Sequence, residues 1–209
     1  MTKPEARTYV LDHFSYDNGK RISNTRKLRD AWLFDAFKIF IDRLSDTDKK
    51  SLRDNRNINN SLYSNLPTVR VVCGECSSTH TINKSLEMGF HVEVICGNHL
   101  SDNDVKSTLM SLKSKYGDKF KLYIYGYDSK TTERTYPESH STNIGSNLLY
   151  ENKHMLDPKK YYETTYDKAF VIENVPDDML QDYIKRFDEL KSESREFTSN
   201  KEIDTLPTL

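Results

Sequence analysis

The chain has 209 residues, 30% of which are charged, and its formal net charge at pH 7 is −1. This balance excludes a strong overall field that would attract nucleic acid or anionic lipid, although it leaves room for local basic patches. No apolar run approaches the length of a membrane span, and the three cysteines are an odd number. We therefore predict a cytoplasmic protein with reduced thiols and no membrane partner.

The first part of the chain is expected to form an arm and a helix outside the compact domain. Residues 1–27 are polar and predict an extended arm or a loosely attached segment. Leu28–Leu44 predicts an amphipathic helix, because apolar side chains recur at steps of three and four residues. Its aromatic stripe is typical of packing on a sheet, with docking of a partner as the alternative. Ser45–Asn65 predicts a short helix and a loop, which completes an N-terminal region of residues 1–65.

Two copies of one pattern, Val-x-Val-[Val/Ile]-Cys-Gly, carry the main signal for the fold. They occupy Val69–Gly74 and Val92–Gly97, with a helix-length segment, Thr79–Met88, between them. Each copy is typical of a short buried strand that ends at a glycine. Because a parallel strand can be reached only by a crossover of a dozen or more residues, the two copies predict a βαβ unit. Their polar loops, Glu75–Ser78 and Asn98–Asp102, are then expected side by side at the carboxyl edge of the sheet, where such folds bind ligands.

The remaining segments continue the same alternation of helices and strands. In chain order they are a helix that opens at Ser101–Asp104 and stops at Gly117, a strand at Lys121–Tyr125, a polar loop at Ser129–Ser139, a hairpin at Ser141–Tyr150, a strand at Lys168–Glu173 and a last helix from Pro176. We predict an α/β domain over residues 66–192 with a mixed, largely parallel sheet flanked by helices. Residues 193–209 are expected to be a flexible tail.

Cysteine and histidine spacing gives one alternative for the carboxyl edge. Cys73-x2-Cys76 and Cys96-x2-His99 form a Cys3His set that suits tetrahedral zinc. Against this, Cys73 and Cys96 end apolar strands, where cysteine behaves as a small buried hydrophobe. We expect no cofactor and keep a zinc site as the alternative.

Residues 139–154 contain the residue with the clearest chemical potential, His140, which lies between a long polar loop and a strand. The order of elements over about Val69–Leu190, together with this segment, resembles the phospholipase D-like superfamily. In that family a strand carries a His-x-Lys-x4-Asp motif. The histidine is the phosphodiester nucleophile, the lysine binds phosphate, and the aspartate holds the histidine. The resemblance implies the same α/β fold here and a nucleophilic position at His140.

The other two motif positions differ in this chain. Thr142 stands where the family has lysine, and Asn147 stands where it has aspartate. A phosphohistidine mechanism needs cationic stabilisation of the phosphoryl oxygens, which a threonine hydroxyl does not supply. We therefore predict a degenerate, non-catalytic domain that binds a phosphate-bearing or nucleic-acid ligand. The candidate ligand-binding residues are Thr142, Asn143, Asn147, Glu151, Lys153 and His154.

Two functions from other classes stay open beside this one. The first is an atypical phosphodiesterase or nuclease that uses His140, and the second is a structural or interaction protein. A lysine or arginine beside His140 would favour catalysis, whereas an apolar lid over it would favour the structural role. The resemblance also implies a homodimer, because single-repeat members of the family pair two motif copies across a two-fold axis and this chain has one such segment.

Overall fold

The computed structural model describes residues 4–57, 60–76, 79–130, 133–138, 140–151 and 168–209. Within these ranges the strands are β1 (Arg7–Asp12), β2 (Phe14–Asp17), β3 (Lys20–Ser23), β4 (Val69–Val72), β5 (Val92–Cys96), β6 (Phe120–Tyr125), β7 (His140–Ile144), β8 (Asn147–Glu151), β9 (Lys168–Glu173) and β10 (Ser194–Phe197). The helices are α1 (Asn24–Arg43), α2 (Asp46–Asp54), α3 (His80–Glu87), α4 (Asn103–Tyr116), α5 (Asp177–Ser192) and α6 (Asn200–Asp204), with short 3-10 turns at Ser61–Asn65 and Gly117–Lys119. No helix in these ranges has the length and apolar character that crossing a membrane requires.

An eight-stranded sheet with the order β1-β9-β8-β7-β4-β5-β6-β10 organises the molecule, and β2 and β3 form a separate hairpin. The predicted α/β fold with a mixed sheet is confirmed. The expectation of a largely parallel sheet is wrong, because among the described strands only the β4–β5 and β5–β6 ladders are parallel. The strands from β7 to β9 pair antiparallel with their neighbours. A tight turn such as the one between β7 and β8 can join strands only in the antiparallel sense.

The βαβ unit predicted from the two repeats is present. Val69 lies opposite Val92 and Val72 opposite Ile95 in the parallel ladder between β4 and β5. The crossover helix α3 ends before Gly89, whose φ of +92° is a left-handed conformation that glycine adopts without strain. A Cβ at Gly89 would also lie 2.5 Å from a ring carbon of Tyr63, so a second constraint selects glycine there.

Helices cover both faces of the sheet. α1, α3 and α4 pack on one face, where Trp32 and Leu33 belong to the same core cluster as inward residues of the strands such as Val94 and Leu149. α5 covers part of the other face, with Phe187 packed against Val72, Ile95 and Tyr123. Because side chains alternate between the faces of a strand, the β5 residues Val94 and Ile95 enter different clusters.

Both ends of the described chain contribute edge strands, which differs from the sequence prediction. β1 pairs with β9 from Arg7 opposite Glu173 to Asp12 opposite Lys168, so part of the predicted arm belongs to the sheet. The predicted flexible tail instead contains β10, paired with β6, and the helix α6. Phe197, Ile203 and Leu206 are buried and anchor these terminal elements. Three apolar residues scattered in a polar tail form no period that a sequence pattern could detect.

Candidate functional site

His140 begins β7, the strand that joins the parallel β4 to the antiparallel half of the sheet. It shares the α1 side of the sheet with Thr142, whereas Ser141 points the other way and its hydroxyl lies 3.1 Å from the Tyr183 hydroxyl. Only 3% of His140 is exposed, and Thr142 is buried as well. The position of the predicted nucleophile is therefore inside the protein.

A loop closes over His140 from the carboxyl edge of the sheet. A Cβ placed at Gly74 would lie 3.1 Å from His140 Cε1 and 3.3 Å from Tyr136 Cδ1. A Cβ at Gly97 would lie 2.5 Å from the Thr135 carbonyl oxygen. Gly97 thus permits a close approach by the backbone at Thr135, whereas Gly74 leaves space for the side chains of His140 and Tyr136. Tyr136 therefore lies close to His140 and resembles the apolar lid that was expected to favour a structural role, except that its ring carries a hydroxyl.

Hydrogen bonds hold this loop in place. Thr135 N donates to Asn98 Oδ1 at 2.8 Å, Asn98 N donates to the Thr135 carbonyl oxygen at 3.1 Å, and Asn98 Nδ2 donates to the Glu133 carbonyl oxygen at 2.7 Å. Arg134 forms an ion pair with Glu75 at 2.7 Å. The two polar loops after the repeats do lie side by side, since Gly97 N donates to the Gly74 carbonyl oxygen at 2.7 Å. Their polar groups, however, bind the 133–136 segment.

Two of the predicted ligand-binding residues shape the turn between β7 and β8. Asn143 Nδ2 donates to the carbonyl oxygens of Gly145 and Asn147 at 3.0 and 3.1 Å. Asn147 Oδ1 accepts from the backbone N–H of Asn174 at 3.0 Å. Asn147 lies opposite Ile144, at the other end of the hairpin from His140. The asparagine at the family's aspartate position therefore holds β8 to β9 rather than orienting the histidine.

The structure does bring three predicted residues together. Glu151 lies directly opposite His140 in the antiparallel ladder, and both line a cavity of about 80 Å³ with Thr142. Arg29 from α1 and Thr81 from α3 line the same cavity. The remaining two predicted ligands, Lys153 and His154, lie outside the described residues.

Arg29 is a site residue that the pattern of apolar side chains in Leu28–Leu44 does not single out. It is 8% exposed, and its Nη1 donates to Glu151 Oε2 at 3.0 Å. His13 Nδ1 lies 3.5 Å from the other carboxylate oxygen. A signal was available, because Arg29 precedes the buried Trp32 and Leu33 by three and four residues and so lies on the buried stripe. Arg29 and His140 therefore line the same cavity, and a cation near His140 is the feature that was expected to favour catalysis.

The three thiols meet beneath the same edge. Cys73 N donates to the Ile95 carbonyl oxygen, which continues the β4–β5 ladder and sets Cys73 beside Cys96. Cys73 forms a hydrogen bond that lowers the pKa of the Cys76 thiol, but contact with Cys96 and burial outweigh it and raise that pKa well above its ordinary value. Cys76 is therefore a neutral thiol at physiological pH.

His99, the fourth member of the proposed zinc set, has a different partner. Its Nδ1 lies 2.9 Å from Asn98 Oδ1, and burial, followed by the nearby charge of Arg134, lowers its pKa. Among the residues that the structure describes, no group of three or more His, Cys, Asp and Glu side chains is arranged to hold a metal ion. Zinc binding stays an alternative prediction, without geometric support from these ranges.

Comparison with known proteins identifies the fold but no close relative. No protein-family model matches the chain, and no curated protein matches it significantly. Among solved structures, Nuc from Salmonella typhimurium, a phospholipase D family member, is similar over 93% of this chain and 100% of its own, with 10% identity and a TM-score of 0.52. NucT from Helicobacter pylori is similar over 92% of this chain and 100% of its own, with 12% identity and a TM-score of 0.48.

Proposed function

We propose that this chain, which has a phospholipase D-like fold, is a non-catalytic domain that binds a phosphate-bearing ligand near His140. The observation that carries the proposal is the state of the three motif positions. His140 is buried beneath Tyr136, Thr142 is buried and uncharged, and Asn147 is bonded to the backbone of Asn174. A histidine that is only 3% exposed is poorly placed to attack an extended substrate, whereas the cavity of about 80 Å³ beside it has room for a small group.

The charge around His140 supports the same conclusion. Negative charge gathers on the phosphoryl oxygens in the transition state and needs preorganised cations or several aligned donors. Arg29 is the described cation that lines the His140 cavity, and one of its nitrogens is bonded to the Glu151 carboxylate. This pairing compensates the carboxylate, so little net positive charge is left for a pentacoordinate phosphorus.

Phosphate binding without hydrolysis needs less from the site than catalysis does. Hydroxyl, guanidinium and imidazole groups all donate hydrogen bonds to phosphate oxygens. Thr142, His140 and Arg29 bring one of each to the same cavity. The proposed ligand class is a phosphate ester or inorganic phosphate, and a nucleic acid is one source of that chemistry.

The same arginine supports one rival function, an atypical phosphodiesterase. If Arg29 replaced the missing lysine during turnover, His140 would still have a cation within its cavity. The rival requires the 133–136 loop to move, because that segment lies against Gly74 and Gly97. It also requires a residue that orients the His140 ring. Asn147 does not fill this role, because its side-chain oxygen accepts a hydrogen bond from Asn174 N.

A pair of assays tests the proposal against its rival. Hydrolysis of bis-p-nitrophenyl phosphate and of single-stranded DNA is measured without added metal, and binding of a labelled oligonucleotide and of inorganic phosphate is measured in parallel. We expect binding that weakens with salt and no hydrolysis. Metal-independent turnover that disappears in His140→Ala would overturn the proposal and establish the phosphodiesterase. If neither the oligonucleotide nor inorganic phosphate binds, the proposal is also wrong, and a structural role is favoured instead.

We further propose that two copies of the chain form a homodimer. The chain carries one His140 segment, and single-repeat proteins of the resembled family bring two such segments together by dimerising. An exposed apolar strip offers a suitable surface on the sheet face beside α5. It consists of Val10 on β1 and the opposite residue Phe170 on β9. Phe170 is 42% exposed and Val10 is 59% exposed, which is unusual for neighbouring large apolar side chains in a sheet.

A further inference from the structure

We propose that a second site, on the N-terminal helices, binds a carboxylate with a single apolar tail, such as a medium-chain fatty acid. The site is a cleft of about 300 Å³ between α1, α2 and the 3-10 turn at Ser61–Asn65. Apolar side chains and cations line it, and none of the described residues at its wall is a carboxylate. The cleft shares no residue with the His140 cavity, so the proposal is independent of the function proposed above.

The apolar wall of the cleft is anchored in the core. Phe37, Ile41 and Tyr63 are half-buried and pack against the main core cluster, to which the buried Leu52 belongs. The Tyr63 ring also packs against Gly89, where a Cβ would lie 2.5 Å from Tyr63 Cδ1. Because these contacts already order the wall, an apolar ligand can bind there without first ordering the side chains that it meets.

Three cations without counter-ions complete the cleft. Lys49 and Arg53 lie one turn apart on α2, and Arg56 follows the end of that helix. Among the described residues, none of these three side chains forms an ion pair or a hydrogen bond, whereas Arg29 and Arg134 each have a glutamate partner. Like charges that gather at an apolar surface without a counter-ion attract an anion from outside. Charge complementarity therefore calls for a negatively charged ligand.

The chemistry and size of the wall restrict the kind of anion. Apart from the Tyr63 hydroxyl, the described lining side chains offer no hydrogen-bond acceptor. The edge donors of a nucleobase would find few partners there, whereas a hydrocarbon tail needs none. A volume of about 300 Å³ is at the lower end of small-molecule sites, which suits one tail better than the two tails of a membrane phospholipid. A guanidinium fork matches the geometry of a carboxylate head group.

The first test compares ligands that share a tail and differ in charge. Calorimetry measures the binding of octanoate, octanol and octylammonium to the whole chain, each below the concentration at which it aggregates. We expect octanoate to bind at least about threefold more tightly than octanol, and octylammonium to bind most weakly. Butyrate, which has the same head group and a shorter tail, should bind at least about tenfold more weakly than octanoate. Equal affinity for octanoate and octylammonium, or for octanoate and butyrate, would overturn the proposal.

The second test locates the site with two neighbouring lysines of α2. Lys49 lines the cleft, whereas Lys50 is exposed and does not line it. We expect Lys49→Gln to weaken octanoate binding about threefold and Lys50→Gln to leave it unchanged, with thermal unfolding to verify that both variants fold. Equal effects of the two substitutions would contradict the assigned cleft. Binding of the natural protein to vesicles of anionic phospholipid without binding of octanoate would also refute the proposal, in favour of a membrane surface as the partner.

Discussion

Arg29 from the first long helix and Glu151 at the end of β8 form an ion pair 3.0 Å long, with 9% and 19% of their side chains exposed. The pair joins α1 to the strand opposite His140. The ion pair therefore links α1 to the sheet and brings two opposite charges to the candidate site. Loss of either partner would leave an uncompensated charge in a largely buried position, which is costly.

Removing one member of this pair should destabilise the fold. Glu151→Gln leaves the Arg29 charge without its partner, and we expect a loss of about 2–3 kcal/mol in the free energy of unfolding, below the fully buried range because Glu151 is partly exposed. Urea unfolding monitored by circular dichroism measures this loss. Arg134→Met breaks the more exposed pair with Glu75 and serves as the control, with an expected loss of about 1 kcal/mol or less. Equal losses in the two variants would contradict the assignment of Arg29 to the interior.

The two repeat glycines should differ in their tolerance of alanine. At Gly97 the added Cβ would meet a backbone oxygen at 2.5 Å, whereas at Gly74 it would meet the His140 and Tyr136 side chains at 3.1 Å or more. We expect Gly97→Ala to lower stability by about 2–3 kcal/mol and Gly74→Ala by about 1 kcal/mol, since overpacking against backbone cannot be relieved by a rotamer change. Thermal unfolding shows which variant loses more stability. A larger loss in Gly74→Ala than in Gly97→Ala would mean that the backbone of the 133–136 loop shifts readily to accommodate the added methyl group.

Introducing the charges of the His-x-Lys-x4-Asp motif should have unequal structural costs. Thr142 is buried in β7, so Thr142→Lys would place an ammonium in the interior, and we expect a loss of about 3 kcal/mol or more. Asn147→Asp keeps the oxygen that accepts from Asn174 N and should change stability by less than about 1 kcal/mol. Unfolding of each single variant is compared with that of the natural protein. A stable Thr142→Lys variant that gains hydrolysis would show that the site opens more readily than its burial implies.

Acid should weaken the C-terminal helix α6 through Glu202. The backbone N–H of Thr198 has the largest effect, and side-chain donors including Arg195 assist it in lowering the pKa of Glu202 to about 2 from 4.5. A depressed folded-state pKa gives stability that is complete above the unfolded-state value and is lost as pH falls from about 4.5 towards 2. Glu202→Gln should therefore cost about 1 kcal/mol at pH 7 and progressively less across that interval, as followed by urea unfolding. A cost that stays constant down to pH 2 would exclude the carboxylate as its source.

The natural protein should be a dimer at tens of micromolar, a concentration at which interfaces of ordinary size are populated. Phe170→Glu places a charge on the exposed apolar strip and should give a monomer in light scattering. Tyr16→Glu, at a more exposed aromatic on the separate β2–β3 hairpin, should leave the dimer intact. A natural protein that is monomeric would contradict pairing, and a dimer that persists in Phe170→Glu would contradict the assigned surface.

The central fold could be predicted from the sequence because its signals are local. The alternation in Val69–Val72 and Val92–Cys96, and the glycine after α3, mark elements that need few long-range contacts to be recognised. β1 and β10 were missed because each has few inward apolar residues and is stabilised by a distant partner strand. Arg29 was missed because charged side chains are usually exposed, although its spacing from Trp32 and Leu33 places it on the buried stripe of α1. The closure over His140 could not be predicted, because it depends on how residues 133–136 meet two glycines from other elements.

The position of β1 at the edge of the sheet has a consequence for how the protein is made. Arg7 pairs with Glu173, so β1 leaves the ribosome well before β9 and has no partner in this sheet until residues 168–173 have been synthesised. Contacts between such distant residues form slowly, because a long loop must close before they add stability. The β4–β6 core can assemble from consecutive segments while residues 7–12 wait as an unpaired strand that carries the exposed Val10. The nascent chain is therefore most prone to aggregation during the interval before β9 emerges, when that strand is open to any other unpaired edge.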